Sequence, residues 1–152
     1  MTSDIITRLS KLDAPDREVD ALIVAELEPH IFDAPGFAPV RPIPSFHIDP
    51  QGDAIRFDGG GIMCLSYFPR LTASVDAAIA LAERVLPFTH LVSTYHDDMA
   101  CSVKIHCCPE GLSGEWKFDV KGDHERLAIA YCIAILRAIA LLRTKEVSSN
   151  AE

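Results

Sequence analysis

The feature that most constrains this chain is its last helix candidate, Glu125 to Thr144, which is apolar on nearly every side. Wound at 100° per residue, Leu127 to Leu142 places Ala128, Tyr131, Ile135, Ile139 and Leu142 on one wide face, with Cys132 and Leu136 beside it. Only Arg126, Arg137 and Thr144 form a thin polar line. Such a helix has to be covered on more than one side, so it belongs at the centre of a fold. A bilayer is the other way to cover it. Arg137, however, leaves an uninterrupted apolar run only from Leu127 to Leu136, short of the roughly 18 to 20 residues a span needs. The pattern predicts a buried helix and no membrane association.

Three strand-like segments precede that helix: His90 to His96, Met99 to Cys108 and Glu115 to Lys121. The second alternates Met99, Cys101, Val103, Ile105 and Cys107 on one face, and the third Trp116, Phe118 and Val120. Asp97-Asp98 and Pro109 to Gly114 turn the chain between them, which predicts an antiparallel meander. Ala54 to Asp58 also alternates, reaches Gly59-Gly60-Gly61, and is followed by a returning strand from Ile62 to Phe68. That reads as a hairpin with a glycine turn. The fold class predicted is α+β: an antiparallel sheet of about five strands packed by helices, with the C-terminal helix central.

Three further helices are expected. Ser3 caps the first, in which Ile5, Ile6, Leu9 and Leu12 share a face. The second begins at Asp13-Ala14-Pro15, buries Val19, Leu22, Ile23 and Leu27, and stops near Pro29. The third runs from Val75 to Leu86, is capped by Thr72 or Ser74, and carries a stripe of Val75, Ile79, Ala82 and Leu86. Between the second helix and the hairpin, prolines at 29, 35, 39, 42, 44 and 50 alternate with Phe32, Phe37, Val40, Ile43, Phe46 and Ile48. Regular structure is not expected there. The apolar side chains predict an ordered segment lying on the core, and an ordered irregular stretch of that length is a candidate contact surface, with Phe32, Phe37 and Phe46 as its anchors.

One domain, residues 1 to 146, is expected from a length of 152 with 49% hydrophobic residues, and residues 147 to 152 read as a disordered tail. Asp and Glu outnumber Lys and Arg by 22 to 14, a formal charge of -8. That charge opposes attraction to nucleic acid phosphates and anionic membranes and suits either solubility or a basic partner surface. Met1-Thr2-Ser3-Asp4 lacks the basic start and apolar run of a signal peptide, so a cytoplasmic location is expected. Five cysteines, at 64, 101, 107, 108 and 132, fit buried thiols in a reducing compartment better than a disulfide framework.

Thr72-Ala73-Ser74-Val75-Asp76-Ala77-Ala78-Ile79-Ala80-Leu81, then strands, then Arg126-Leu127-Ala128-Ile129-Ala130-Tyr131-Cys132-Ile133-Ala134-Ile135-Leu136-Arg137-Ala138, resembles the phage ABA sandwich domain family. Asp16-Arg17-Glu18-Val19-Asp20-Ala21-Leu22-Ile23 ahead of an aromatic, proline-rich segment is similar to the opening of those proteins. The resemblance covers most of residues 13 to 143. It implies a small phage or prophage protein of a bacterial host, with an α-β-α arrangement around an antiparallel sheet. It brings no established activity and no catalytic residues to transfer, and the Cys- and His-rich strands depart from its pattern.

The most suggestive chemical cluster is His96, Asp97, Asp98, His106, Cys107 and Cys108, since imidazole, thiolate and carboxylate are zinc ligands. A site would use His96, His106 and Cys108, with Asp97 or Asp98 behind them. Alternation sends Cys107 to the other face and no C-x₂-C pair is present, so structural roles are the expectation and no cofactor is required. His106 and Cys108 share a strand face about 7 Å apart at the backbone, but no oxyanion loop or third residue can be identified beside them. Arg137 is expected to snorkel along the alanine-lined stripe; its alternative is an anion-contacting role beside Arg126. Gly59-Gly60-Gly61 lacks the Lys-Ser/Thr of a phosphate loop.

Three classes of function remain open on the sequence. The first is a non-enzymatic protein, monomeric or a small homo-oligomer, that binds a host or phage protein through Phe32, Phe37 and Phe46. The second is a small-molecule or nucleotide binding module, monomeric or oligomeric, using Arg126, Arg137 and the histidines around a groove. The third is a metal- or thiol-dependent enzyme centred on His96, His106 and Cys108.

Overall fold

The computed structural model describes residues 1–33, 36, 38–86, 89–97, 100–108 and 118–151. Among the described residues, four helices, α1 (Thr2–Ser10), α2 (Arg17–Leu27), α3 (Val75–Val85) and α4 (Leu127–Ser149), combine with six strands: β1 (Phe46–Ile48), β2 (Ala54–Phe57), β3 (Ile62–Cys64), β4 (Thr89–His96), β5 (Cys101–Cys108) and β6 (Phe118–His124). The strands form two three-stranded antiparallel sheets, β1-β2-β3 and β4-β5-β6. The expected single sheet of about five strands is therefore corrected on two points. The hairpin and the meander do not join, and a sixth strand, β1, forms inside the proline-rich segment, where Phe46, His47 and Ile48 pair with Phe57, Arg56 and Ile55. The local proline pattern gave no sign of it, because the partner that supplies its hydrogen bonds lies beyond Pro50.

The central layer is α4. Val103, Ile105 and Cys107 of β5, fully buried, and Val120 of β6 press against it from one side. On its other side α1 brings Ile5 and Leu9, and α3 brings Ala78, Leu81 and Ala82. Ala128 to Leu136, Ala138 and Ile139 are all buried as a result. By length and composition α4 is the one described helix that could cross a membrane, and 61% of its most apolar stretch is buried against the protein's own strands and helices. Thus the central position expected for the C-terminal helix holds, while the layer order is sheet, α4, helices, with no sheet in the middle.

Several element ends differ from expectation for local reasons. Met1, not Ser3, occupies the N-cap of α1, and no side chain caps it. The cap of α2 is Asp16, whose carboxylate accepts from the amides of Glu18 and Val19 at 2.8 and 3.1 Å, so Pro15 precedes the helix. Ser74 caps α3 by accepting from Ala77 N. The stripe of α3 is rotated from the expected one, and Ile79 is 37% exposed. The returning strand β3 stops at Cys64 because Leu65 to Tyr67 turn into a 3₁₀ segment. Continuing past Glu146 to Ser149, α4 is helical within the stretch expected to be a tail. Trp116 and the 109–114 turn lie outside the described residues.

A buried polar knot holds the start of α2 to the chain before α3. Asp20 is fully buried and accepts from Thr72 N at 2.7 Å and Arg17 Nη1 at 2.8 Å. The same guanidinium donates to the carbonyls of Leu65, Phe68 and Pro69, each at 2.9 Å. Thr72 Oγ1 accepts from Asp16 N. Burial pushes the Asp20 carboxyl above the ordinary aspartate value, against the hydrogen bonds from Thr72 and Arg17.

Candidate functional site

The outer face of the β4-β5-β6 sheet, opposite α4, is where the structure gathers reactive side chains. Antiparallel register sets His106 directly opposite Asp119, and sets Ser93 opposite Lys104, one pleat away from His106. Diagonal neighbours of this kind are within reach of long side chains. Here the reach is made: His106 Nδ1 lies 2.8 Å from Asp119 Oδ1, and His106 Nε2 lies 3.2 Å from Ser93 Oγ. Lys104 Nζ is 3.6 Å from Asp119 Oδ2. A carboxylate only accepts, so the ring proton belongs on Nδ1 and Nε2 accepts from the Ser93 hydroxyl. His106 is 35% exposed and Asp119 50%, which leaves the row open to water.

His96, His106 and Cys108 are not brought together. His96 is paired with Cys101, an odd number of residues from His106, so it points to the opposite face of the sheet. There its Nδ1 lies 3.3 Å from Cys101 Sγ, which donates to the Glu125 carbonyl at 3.4 Å. Cys108 shares the face of His106 but is buried, and both ring nitrogens of His106 are already engaged by Ser93 and Asp119. Asp97 accepts from Ala100 N, a turn contact rather than support for a ligand, and Asp98 lies outside the described residues. Among the described residues, no group of three or more His, Cys, Asp or Glu side chains could hold a metal ion. Burial pushes the Cys107 thiol up to about 11 and that of Cys132 further still, which makes both poor nucleophiles at neutral pH.

Arg126 and Arg137 also part company. Eleven residues separate them on or beside α4, about 16 Å at helical rise. Arg126 Nε donates to the Asp13 carbonyl at 3.1 Å, and its amide donates to His124 Nδ1 at 2.9 Å. His124 Nε2 then donates to the Leu12 carbonyl at 2.8 Å, so both residues fasten the start of α4 to the loop after α1. Arg137 snorkels to the β6 edge and donates to the Lys121 carbonyl. The shallow groove beside it is lined by Asp119, Lys121, Ala140, Leu141 and Thr144, without Arg126.

Phe32 and Phe46 do meet, with ring centroids 5.7 Å apart, and Phe57 and Phe68 join them at 5.0 to 6.1 Å from Phe32. This cluster, edge-to-face where Phe32 meets Phe57 and Phe68 and tilted where it meets Phe46, ties the 3₁₀ turn Pro29–Phe32 to the β1-β2-β3 sheet. Phe37 lies outside the described residues. Above Phe32 and Phe57, Ala38, Val40, Ile43 and Pro44 raise the walls of a cup of about 220 Å³, with Val40 62% exposed. The aromatic pattern announced Phe32 and Phe46. Phe57 was masked by its place in a short strand.

No protein-family model, curated protein or solved structure matches the chain.

Proposed function

We propose that this is a small phage or prophage protein of the bacterial cytoplasm that works by binding another protein, of the host or of the phage, through the cup over Phe32 and Phe57. The observation that carries this reading is the cup itself, mostly apolar in its floor and walls, flanked by the exposed Val40, and with Asp33, paired to Arg41, and Gly60 also in its lining. Its volume, about 220 Å³, falls below the roughly 300–1,000 Å³ of sites that enclose cofactors or drug-sized ligands. It suits one large apolar side chain of a partner, the kind of buried anchor on which protein interfaces depend. The formal charge of -8 favours a partner whose anchor is flanked by basic residues. Phage origin and an ABA-sandwich relationship rest on the Ala, Leu and Asp patterns of residues 72–81 and 126–138.

The test is to pan a random peptide library on the immobilised protein and titrate the selected peptides calorimetrically. Peptides with a large apolar residue beside Lys or Arg are expected, losing at least about tenfold in affinity, some 1.4 kcal/mol, with Val40→Glu. Selected peptides that bind Val40→Glu as tightly as the unaltered protein would remove the cup from the function.

A further inference from the structure

The row on the outer sheet face plays no part in binding at the cup, and its connectivity is that of an activated hydroxyl. We propose that Ser93 is a nucleophile that takes acyl groups from small esters, with His106 as its general base and Asp119 as the residue that positions the imidazole.

Three observations bear on this. The Ser93 Oγ to His106 Nε2 separation of 3.2 Å is at the outer edge of the reach needed for proton transfer, a common state in a protein without substrate. The His106 Nδ1 to Asp119 Oδ1 contact of 2.8 Å fixes the tautomer that leaves Nε2 free to accept. Backbone pairing holds all three residues on neighbouring strands of one rigid sheet, Ser93 in β4, His106 in β5 and Asp119 in β6. Lys104, directly opposite Ser93 in register and 3.6 Å from Asp119, adds a cation beside the site where a carbonyl oxygen would gain negative charge.

In the reaction, Ser93 Oγ bonds to the ester carbonyl carbon while its proton passes to His106 Nε2. The carbonyl carbon to alkoxy oxygen bond then breaks, and the alcohol leaves with that proton. Water, deprotonated by the same nitrogen, attacks the acyl group, releases the carboxylic acid and restores the serine. Among the described residues this face is open, with His106 35% exposed and no enclosed slot for a long acyl chain, which sets the substrate class as small, water-accessible esters.

The experiment uses the full chain and an alkyl fluorophosphonate, whose phosphorus accepts Ser93 Oγ as fluoride leaves, with peptide mapping by mass spectrometry. Labelling of Ser93 in the native protein is expected, abolished in denaturant and slowed roughly 10²-fold by His106→Gln. Asp119→Asn should slow it as well, with partial recovery in Asp119→Glu, a rescue that a merely structural carboxylate would not give. These side chains lie on an exposed face, so the thermal midpoints of the variants should stay near that of the unaltered chain. The proposal is overturned by the absence of label at Ser93 in the native protein, by label confined to Tyr95 or another residue, or by a Ser93 rate that His106→Gln leaves unchanged. None of these outcomes bears on the cup, which Val40→Glu tests separately.

Discussion

Gly122 of β6 lies so close to Ala130 of α4 that no side chain fits between them. A Cβ at position 122 would fall 2.0 Å from the Ala130 carbonyl oxygen and 2.7 Å from the Ala134 amide nitrogen. Those two atoms are the ends of one helical hydrogen bond, from residue i to residue i−4. The sheet therefore rests directly on the helix backbone, and this contact sets the distance between the two central layers.

Substituting Gly122 by Ala is expected to cost about 3 kcal/mol or more, the upper part of the range for overpacked cores, because the obstructing atoms are backbone and cannot turn aside. For a chain of this length that lowers the thermal midpoint by roughly 6 to 12 °C. The added substitution Ala130→Gly should not rescue it, since removing the Ala130 methyl leaves the carbonyl in place. Calorimetry of both variants decides the matter, and recovery in the double variant would mean that side-chain bulk sets the spacing.

The knot at Asp20 makes a different prediction. Arg17→Ala strands a buried carboxylate with Thr72 as its remaining donor and removes the guanidinium from the Phe68 and Pro69 carbonyls, while the Leu65 carbonyl keeps the Phe68 amide. Breaking such a pair costs about 3–5 kcal/mol. Asp20→Ala leaves the guanidinium its three carbonyls and should cost less. In denaturant unfolding, the double variant should be more stable than the sum of the single losses by about 1–3 kcal/mol. Additive losses would show that the two side chains do not act together.

The helices were legible because their burial follows from sequence-local periodicity: Leu9 and Ile23 on inner faces, Ser74 as one of two cap candidates, and an all-apolar α4 each carry their own signal, whereas the start of α2 was placed at Asp13 to Pro15 instead of after the Asp16 cap. What was not legible depends on register. Ser93, His106 and Asp119 are separated by thirteen residues at each step, and a slip of one residue in either hairpin would send His106 and its partners to opposite faces. The pleat alone correctly separated Cys107 from His106, but it could not say that β4 presents a serine rather than His96 to the imidazole. Gly122 shows the same gap from the other side: the pattern ends the strand at Lys121 and places Gly122 beyond it, yet it lies inside β6, and its role is visible only when α4 is laid on top. Likewise β1 takes its existence from β2 and not from its own proline-bounded residues.

Glu26 carries a pH signature. Burial by itself would raise its carboxyl, but hydrogen bonds from Thr2 and Arg143, with the charges of Arg143 and the N-terminus, outweigh burial and hold it below the ordinary glutamate value of 4.5. A carboxyl depressed in the folded state binds fewer protons there than in the unfolded chain, so its stabilisation is present above pH 4.5 and is lost as pH falls through the lower folded value. Glu26→Gln should therefore be less stable by about 1 kcal/mol at pH 7. The gap to the unaltered chain should close on acidification. A gap that stays constant from pH 7 to pH 3 in urea titrations would assign the loss to packing alone.

The cysteines separate by environment into one reactive thiol and several protected ones. Cys64 is exposed, and a hydrogen bond from Ser66, with Sγ 3.0 Å from Oγ, lowers its pKa below the ordinary cysteine value. Cys107 and Cys132 are buried with raised values, and Cys108 is buried as well. A thiolate is the species that alkylates, and buried thiols react only when the structure opens. Iodoacetamide at neutral pH should therefore modify Cys64 first, and Ser66→Ala should slow that step a few-fold by returning the thiol toward its ordinary value. Cys101, half-buried and held between His96 and the Glu125 carbonyl, should follow. Time-resolved peptide mapping gives the order directly: early modification of Cys107 or Cys132 would show that the inner face of the β4-β5-β6 sheet opens away from α4 far more readily than a packed core allows.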